Sequence, residues 1–145
     1  MIAFLQRATR AQVDINDETV GRIGPGLMVL VGVCEGDGEA DADRLAERLL
    51  GYRVFADEAG RMNRSVVDTG GGLLLVPQFT LAADTRKGMR PSFARAAPPP
   101  LASALFDRLV DQCGQRLKNV QTGRFGADMQ VALVNDGPVS FWLET

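Results

Sequence analysis

The sequence predicts an α/β protein, a layered sandwich of mixed and antiparallel β-sheets with two main helices packed on one side. Three observations lead to this class. Two stretches repeat apolar residues at helical spacing, and about seven short stretches around them have the alternation or the apolar runs of strands. The third is size, because 145 residues, 46% of them hydrophobic, can bury about two-thirds of the surface of the unfolded chain. We expect a single domain, residues 1–145.

The strands are predicted at both ends of the chain and between the helices. The first third is typical of a meander, with strands at 1–7, 12–15 and 18–23, a Gly-Pro-Gly turn at 24–26 and an apolar strand at 27–33. Later strands are predicted at 52–55, at 73–81 and on either side of 135–137. Because the helices cover only one side, a second sheet is expected to bury the remaining strands.

Two segments have the periodicity of amphipathic helices. The first lies within 36–52, has acids before Arg44 and Arg48 as the helix dipole favours, and places these apolar residues on one face: Ala42, Leu45, Ala46, Leu49 and Leu50. The second opens at the prolines 98–100, which can begin a helix but not lie inside one. Its apolar positions are Leu101, Ala104, Leu105, Leu109, Cys113 and Leu117.

The composition excludes several kinds of active site. The chain has no histidine, so it has no Ser-His-Asp triad and lacks the commonest metal ligand. Cys34 and Cys113 are isolated in the sequence, which indicates two buried thiols rather than a disulfide or a zinc clip. The glycines at 24–26 and 70–72 precede strands instead of opening helices, so neither a P-loop nor a Rossmann site is predicted. We therefore expect no metal and no cofactor.

The charge pattern limits the choice of partners. A net charge of −2 and an isoelectric point near 5.1 argue against nucleic-acid binding over the whole surface. Two local basic sets remain, Arg86, Lys87, Arg90 and Arg95, with no acid among them, and Arg116, Lys118 and Arg124. On charge alone, a solvated face is favoured for either set.

The sequence does not indicate a membrane partner. No apolar run approaches the roughly 18 residues needed to cross a bilayer. The first residues also lack the pattern of a signal peptide. We therefore expect a cytoplasmic protein.

The first unusual segment follows the strand that ends at Pro77. Proline cannot donate to a sheet, so the next backbone N–H groups, those of Gln78, Phe79 and Thr80, are directed away from a regular ladder. Such N–H groups can form an oxyanion hole. Thr80 adds a hydroxyl, which is a poor nucleophile without a neighbouring base. From the pattern alone, however, a core position for Phe79 and a strand cap at Gln78 are favoured.

The second unusual segment is VNDGPVSFW at 134–142. Asp-Gly between apolar runs is a hairpin signal, and an ordinary turn is favoured by the pattern. Pro138, directly after Gly137, nevertheless removes an N–H where the returning strand should begin to pair. The Gly137–Pro138 bond is also a candidate for the cis form.

Together, PQFTLAADTRKGMRPSF at 77–93 and NDGPVSFW at 135–142 resemble the signature segments of the D-aminoacyl-tRNA deacylases. The resemblance covers the whole chain, including GPGLMVLVGV at 24–33 and TGRFGADMQVALVNDGP at 122–138. Pro77 stands where serine is usual in that family, and Ser140 where threonine is usual. A related deacylase that removes wrongly attached L-alanine also has this proline, but it resembles Pro-Gln-Ala-Thr, so Phe79 favours the D-specific family.

The resemblance implies the fold of that family and an activity that needs no cofactor. The implied reaction is hydrolysis of the ester bond of D-aminoacyl-tRNA, and also of glycyl-tRNA mischarged on tRNA(Ala), with L-aminoacyl esters spared. The implied catalytic segment is Gln78, Phe79 and Thr80. Backbone N–H groups near Phe79 and Thr80 stabilise the developing oxyanion, while the 2′-hydroxyl of the RNA assists the attack of water.

The resemblance also implies an assembly and a substrate surface. The protein is expected to be a homodimer with two active sites at its interface. In each site Gly137 and Pro138, joined by a cis bond, reach into the pocket of the partner, with Asn135 beside them as a substrate-binding residue. Three basic residues are expected to contact the tRNA: Arg86, Lys87 and Arg90.

Two other functions stay open at this point. One is a module that binds aminoacyl-tRNA or free D-amino acids without turnover, which predicts no product in a single-turnover experiment. The other is a hydrolase with Thr80 as its nucleophile, which predicts a trapped acyl-enzyme.

Overall fold

A computed structural model describes all residues, 1–145, and consists of eight strands, three helices and one 3₁₀ turn. The strands are β1 (Ile2–Ile15), β2 (Glu18–Ile23), β3 (Gly26–Gly32), β4 (Phe55–Ala56), β5 (Met62–Arg64), β6 (Gly72–Pro77), β7 (Val120–Thr122) and β8 (Gln130–Glu144). The helices are α1 (Glu39–Gly51), α2 (Val66–Thr69) and α3 (Pro99–Gly114), and the 3₁₀ turn is Phe79–Ala82. The predicted α/β class is confirmed.

β1 organises a six-stranded mixed sheet. One edge of β1 pairs antiparallel with β3 along its first half and with β2 along its second half, and the other edge pairs antiparallel with β8. β6 and β7 extend the sheet in parallel from β3. Two separate strands were expected at 1–7 and 12–15. This is wrong, because β8 pairs along nearly the whole of β1 and keeps it extended as one strand of 14 residues.

A second sheet was expected to bury the remaining strands, but the second sheet present is too small to do so. The second half of β1, together with β2, folds over the face of β3 and β6 and supplies the missing layer itself. Val13 of β1 and Ile23 of β2 pack there against Met28 of β3 and Leu74 of β6 in one buried cluster. The only separate sheet is the two-stranded β4–β5 hairpin.

The two predicted main helices are confirmed, and both cover the opposite face of the sheet. Alternate residues of β3 and β6 point toward them, so that Leu27 and Leu73 join Leu45 and Leu109 in the larger core cluster. The Arg108 guanidinium of α3 also forms two 2.8 Å hydrogen bonds with the Asp43 carboxylate of α1. Neither helix is long and apolar enough to span a bilayer.

The two cysteines differ in burial. Cys113 is fully buried as predicted, and burial raises the pKa of its thiol to about 12. Cys34 is only half-buried, and partial desolvation, followed by the nearby Asp37 carboxylate, raises its pKa. Because a thiolate is the nucleophilic form, both raised pKa values disfavour cysteine catalysis at neutral pH.

Candidate active site

The segment after Pro77 lies at the carboxyl end of the parallel strands. Pro77 is the last residue of β6 and pairs with Val31 of β3. The N–H of Gln78 donates to the carbonyl oxygen of Val31 at 2.7 Å, which is the last hydrogen bond that ties the segment to the sheet. The chain then leaves the sheet and enters the 3₁₀ turn.

Two backbone N–H groups of this turn are free. The N–H of Leu81 donates to the Gln78 carbonyl at 3.3 Å, and that of Ala83 donates to the Thr80 carbonyl at 3.1 Å. Phe79 and Thr80 are the first residues of the turn, so their N–H groups have no intrahelical acceptor, and no other hydrogen bond of the chain uses them. Two adjacent free donors at a strand end have the arrangement of an oxyanion hole.

No base is hydrogen-bonded to the side chains of this segment. The Gln78 amide donates to the Thr80 hydroxyl at 2.5 Å, and no carboxylate or lysine is hydrogen-bonded to that hydroxyl. The expected core position of Phe79 is wrong, because its side chain is 57% exposed. Its ring packs instead on Phe93, with ring centroids 5.1 Å apart. The segment therefore offers backbone donors and an exposed aromatic face rather than acid–base side chains.

Two clefts flank Phe79. One has a volume of about 300 Å³ and is lined almost entirely by apolar groups, among them Ala102 and Phe125. The other, of about 270 Å³, is bounded by Gln78 and the loop from Gly126 to Met129, which brings the Asp128 carboxylate to its rim. Pro77 and Phe79 line both clefts. Phe79, whose N–H is one of the two free donors, therefore borders both an apolar and a more polar binding space.

The basic run predicted at 86–95 forms a short hairpin beside this site. Backbone hydrogen bonds between Asp84 and Ser92 close it, at 2.8 and 3.1 Å. Although the run itself contains no acid, Arg86 pairs with the preceding Asp84 at 2.6 Å and holds the pKa of that carboxyl well below its usual range. Lys87 and Arg90 are exposed and have no acidic partner. They are therefore the freer cations of the hairpin.

The hairpin predicted around Asn135–Gly137 is wrong. β8 continues as one strand, with Asn135 paired to Ala8 and Ser140 paired to Gln6. The four residues between them, 136–139, have no partner in β1 and protrude as a bulge. β1 pairs with β8 on both sides of residues 136–139. A hairpin at Asp136 and Gly137 would break the pairs that one of these two halves of β8 forms with β1, so the four residues protrude from the strand instead. The Gly137–Pro138 bond in the bulge is cis, as the sequence indicated.

Side chains on both sides hold this bulge in shape. The N–H of Val139 donates to the Asn135 side-chain oxygen at 2.7 Å, and the Asn135 amide donates to the Ser140 hydroxyl at 3.1 Å. From β1, the Arg7 guanidinium donates to the carbonyl oxygens of Asp136 at 2.9 Å and of Val54 at 2.6 Å. The sequence analysis missed Arg7, because its contact with Asp136 joins residues 129 positions apart and no local pattern predicts such a contact.

Within one chain the bulge and the free N–H groups are far apart. Pro77 lies level with Val31 and Ala3, whereas the bulge lies level with Arg7 and is separated from β6 by β3 and β1. Four residues along a strand and three strand spacings across the sheet amount to about 20 Å. No hydrogen bond joins the two segments, and neither cleft beside Phe79 is lined by the bulge.

Comparison with known proteins identifies the family. The profile of the D-Tyr-tRNA(Tyr) deacylase family matches residues 4–144. The chain belongs to this deacylase family. A D-aminoacyl-tRNA deacylase from Thioalkalivibrio sulfidiphilus (strain HL-EbGR7) is 66% identical over 144 residues, covering 99% of this chain and 97% of that protein. One from Stenotrophomonas maltophilia (strain R551-3) is 65% identical and covers 99% of both.

Two solved structures share the fold of this chain. The c-Myc DNA unwinding element binding protein superposes with a TM-score of 0.95 at 37% identity, covering 100% of this chain and 99% of that one. A probable eukaryotic D-amino acid tRNA deacylase superposes with a TM-score of 0.87, covering 99% and 98%. Its 17% identity makes it evidence for the fold alone.

We predict that Asn135 stabilises the deacylase bulge more than Ser140 does. Asn135→Ala leaves the N–H of Val139, a residue only 7% exposed, without its acceptor, and such a loss costs about 1–3 kcal/mol in the free energy of unfolding. Ser140→Ala removes an exposed hydroxyl from the same amide and should change that free energy by less than about 0.5 kcal/mol. Urea denaturation of both variants measures the difference, and equal losses would contradict the assignment.

Proposed function

We propose that this protein is an ester hydrolase that cleaves D-aminoacyl-tRNA into free D-amino acid and tRNA, and so removes D-amino acids before they enter translation. The observation that carries the proposal is the pair of free N–H groups at Phe79 and Thr80, beside two clefts that Phe79 lines, in a chain of the deacylase family. We place the protein in the cytoplasm, where aminoacyl-tRNA is used.

In the proposed reaction, backbone N–H groups stabilise the negative charge that develops on the ester carbonyl oxygen, and the 2′-hydroxyl of the substrate assists proton transfer from the attacking water. An aminoacyl ester is already activated, so water can attack it without a side-chain nucleophile. The carbonyl oxygen accepts hydrogen bonds from the N–H groups of Phe79 and Thr80, which stabilise the negative charge of the tetrahedral intermediate. The vicinal 2′-hydroxyl of the terminal ribose assists the attacking water. Pro77, in place of the usual serine, contributes backbone shape only.

The two clefts suit the two parts of the substrate. The exposed ring of Phe79 and the half-buried ring of Phe125, beside alanine walls, fit the flat face of an unstacked base. We place the terminal adenine in this apolar cleft. The aminoacyl group then extends toward Gln78 and the more polar cleft.

We propose that a second copy completes each site. The bulge of one chain is about 20 Å from its own free N–H groups by strand spacing, so Gly137 and Pro138 can line a site only in a partner. A two-fold dimer would form two such sites at its interface. An apolar pair on the β1–β8 surface, the half-buried Phe4 and the 49%-exposed Trp142, is consistent with a buried contact there.

The basic hairpin beside Phe79 provides a surface for the RNA backbone. Lys87 and Arg90 are free to meet phosphates, and Arg86 can join them while its Asp84 contact orients it. A local patch of this kind is compatible with the net charge of −2.

Turnover separates this proposal from the binding module. With tRNA charged with D-tyrosine in tenfold excess over protein, we expect more than one free D-tyrosine to be released per protein chain. A matched reaction without protein measures spontaneous hydrolysis. Protein that retains the charged tRNA on a filter but releases no D-tyrosine above this background would support the binding module instead.

We predict that glycyl-tRNA is cleaved while L-alanyl-tRNA is spared. A rigid backbone wall at Gly137 and Pro138 excludes an L-residue by contact with its side chain, and one methyl group forced against a packed wall costs about 1–3 kcal/mol. Glycine has no side chain to exclude. An enzyme titration against both substrates, charged on tRNA(Ala), measures the effect. Complete sparing of the glycyl ester would indicate that a D side chain is recognised positively.

A further inference from the structure

A groove of about 390 Å³ lies on the sheet outside the site described above, where β2 and the first half of β8 flank β1. Its polar groups are Arg10, Gln12 and Arg22, and the apolar residues beside them on the same face of the sheet are Ala132 and Val134. We call it the arginine groove. No acidic side chain lines it.

The two arginines of this groove have few partners within the chain. Neither forms an ion pair, and Arg10 donates no hydrogen bond within the chain. Arg22 makes only a 3.4 Å contact with the Thr19 hydroxyl. Asp14 lies outside the groove, and its carboxylate accepts hydrogen bonds from Thr19 at 2.6 Å and from Gln12 at 2.7 Å, with a smaller attraction from Arg22 that also lowers its pKa. Two free guanidinium groups beside an apolar wall form a local cationic site in an acidic protein.

The register places this groove next to the bulge. Ala8 pairs with Asn135, at the start of the bulge, and Arg10 pairs with Val134, the preceding residue of β8. Arg22 of β2 pairs with Gln12 of β1, two residues after Arg10. The groove therefore begins about one residue, roughly 3–7 Å, from the base of the bulge. If the bulge enters the active site of a partner chain, the groove lies beside the RNA end held there.

We propose that the arginine groove binds the phosphate backbone of the tRNA whose aminoacyl end occupies the partner's active site. This inference rests on the proposed function and names a second RNA contact besides the basic hairpin. The guanidinium fork matches the geometry of a phosphate and can form two parallel hydrogen bonds with it. The apolar wall receives the ribose between phosphates. Each tRNA is then held by the hairpin of one chain and the groove of the other.

Substitution of the two arginines tests the groove. Arg10→Gln, Arg22→Gln and the double variant are compared with Arg61→Gln, which removes the same charge from an exposed, unpaired arginine in the β4–β5 turn. KM for tRNA charged with D-tyrosine and Kd for the uncharged tRNA are measured between about 50 and 200 mM salt. The D-tyrosyl ester of the trinucleotide CCA serves as a substrate too short to reach the groove.

Each groove substitution should raise KM and Kd for the full tRNA roughly five- to tenfold near 0.1 M salt. Each should also lower the slope of log Kd against log salt by about 0.7–0.9. The loss should be confined to the full tRNA, and Arg61→Gln should match the wild type. Equal losses on the trinucleotide ester, or an unchanged slope, would overturn the proposal.

Two further outcomes distinguish RNA binding by the groove from the proposed hydrolysis and from a role of the groove in contact between protein copies. A wild type that binds tRNA but does not cleave the ester contradicts the proposed function, and the groove is still supported if its variants lose affinity and salt slope as expected. A change in the mass of the groove variants by light scattering would instead assign the groove to contact between copies, and so overturn the proposal. Unfolding midpoints in urea confirm that the variants retain their fold.

Discussion

Phe79→Pro is expected to lower kcat on D-tyrosyl-tRNA about 10²–10³-fold below that of Phe79→Ala, because it deletes one of the two free N–H groups. Both variants remove the ring and its packing on Phe93, so their ratio isolates the backbone donor. Single-turnover rates at saturating protein give the comparison. The loss should appear in kcat, since the donor stabilises charge that exists only in the transition state.

The backbone at this position accommodates proline. Phe79 is the first residue of the 3₁₀ turn, where a helical turn tolerates the missing N–H. The preceding Gln78 has φ −145° and ψ 84°, outside the α region that a following proline disfavours. A folded Phe79→Pro variant as active as Phe79→Ala would show that the N–H of Phe79 takes no part in the reaction.

Replacing the terminal adenosine of the tRNA by its 2′-deoxy form should cost about 10²–10⁴ in rate, the usual range for a lost proton-transfer partner. Thr80→Ala should cost much less. The Thr80 hydroxyl has one hydrogen bond in the chain, from Gln78, and losing such a bond is worth roughly one order of magnitude or less. Its backbone N–H is retained in the variant.

The same pair of measurements decides between the substrate-assisted and the covalent reaction. A Thr80 nucleophile requires near-complete loss on Thr80→Ala and an acyl adduct at Thr80 in the mass spectrum of quenched reactions. An active 2′-deoxy substrate together with such an adduct would reject the substrate-assisted account. Thr85→Ala, which removes a hydroxyl from an exposed residue of the basic hairpin, is the matched control.

The parts of the fold that depend on local periodicity could be predicted, and those that depend on distant pairing could not. α1 and α3 follow from apolar spacing, and every buried residue of α1 was among the predicted positions. On α3 the predicted face is partly wrong, because Leu101 and Ala104 are exposed and Ala102 and Phe106 are buried in their place. The continuity of β1 depends on β8, more than a hundred residues later in the chain. No signal within residues 8–11 indicates that the strand continues.

The candidate site divides in the same way. Pro77 marks the point where the chain leaves the sheet, so the free N–H groups of the next turn follow from proline chemistry. The bulge could not be predicted in this way. Asp-Gly by itself is a hairpin signal, and only the pairing of β1 with β8 on both sides of it makes the segment a bulge. Phe79 was assigned to the core by its hydrophobicity, whereas a neighbouring Phe93 allows its ring to remain at the surface.

The most direct test of the central claim is the rate of deacylation of two substrates that differ only in chirality, D-tyrosyl-tRNA and L-tyrosyl-tRNA prepared on the same tRNA. The free backbone donors act on any ester, so selectivity must come from contact with the side chain at the wall formed by Gly137 and Pro138. We expect release of free D-tyrosine at protein concentrations that leave the L-ester at its spontaneous rate of hydrolysis. Equal cleavage of the two esters would contradict the account.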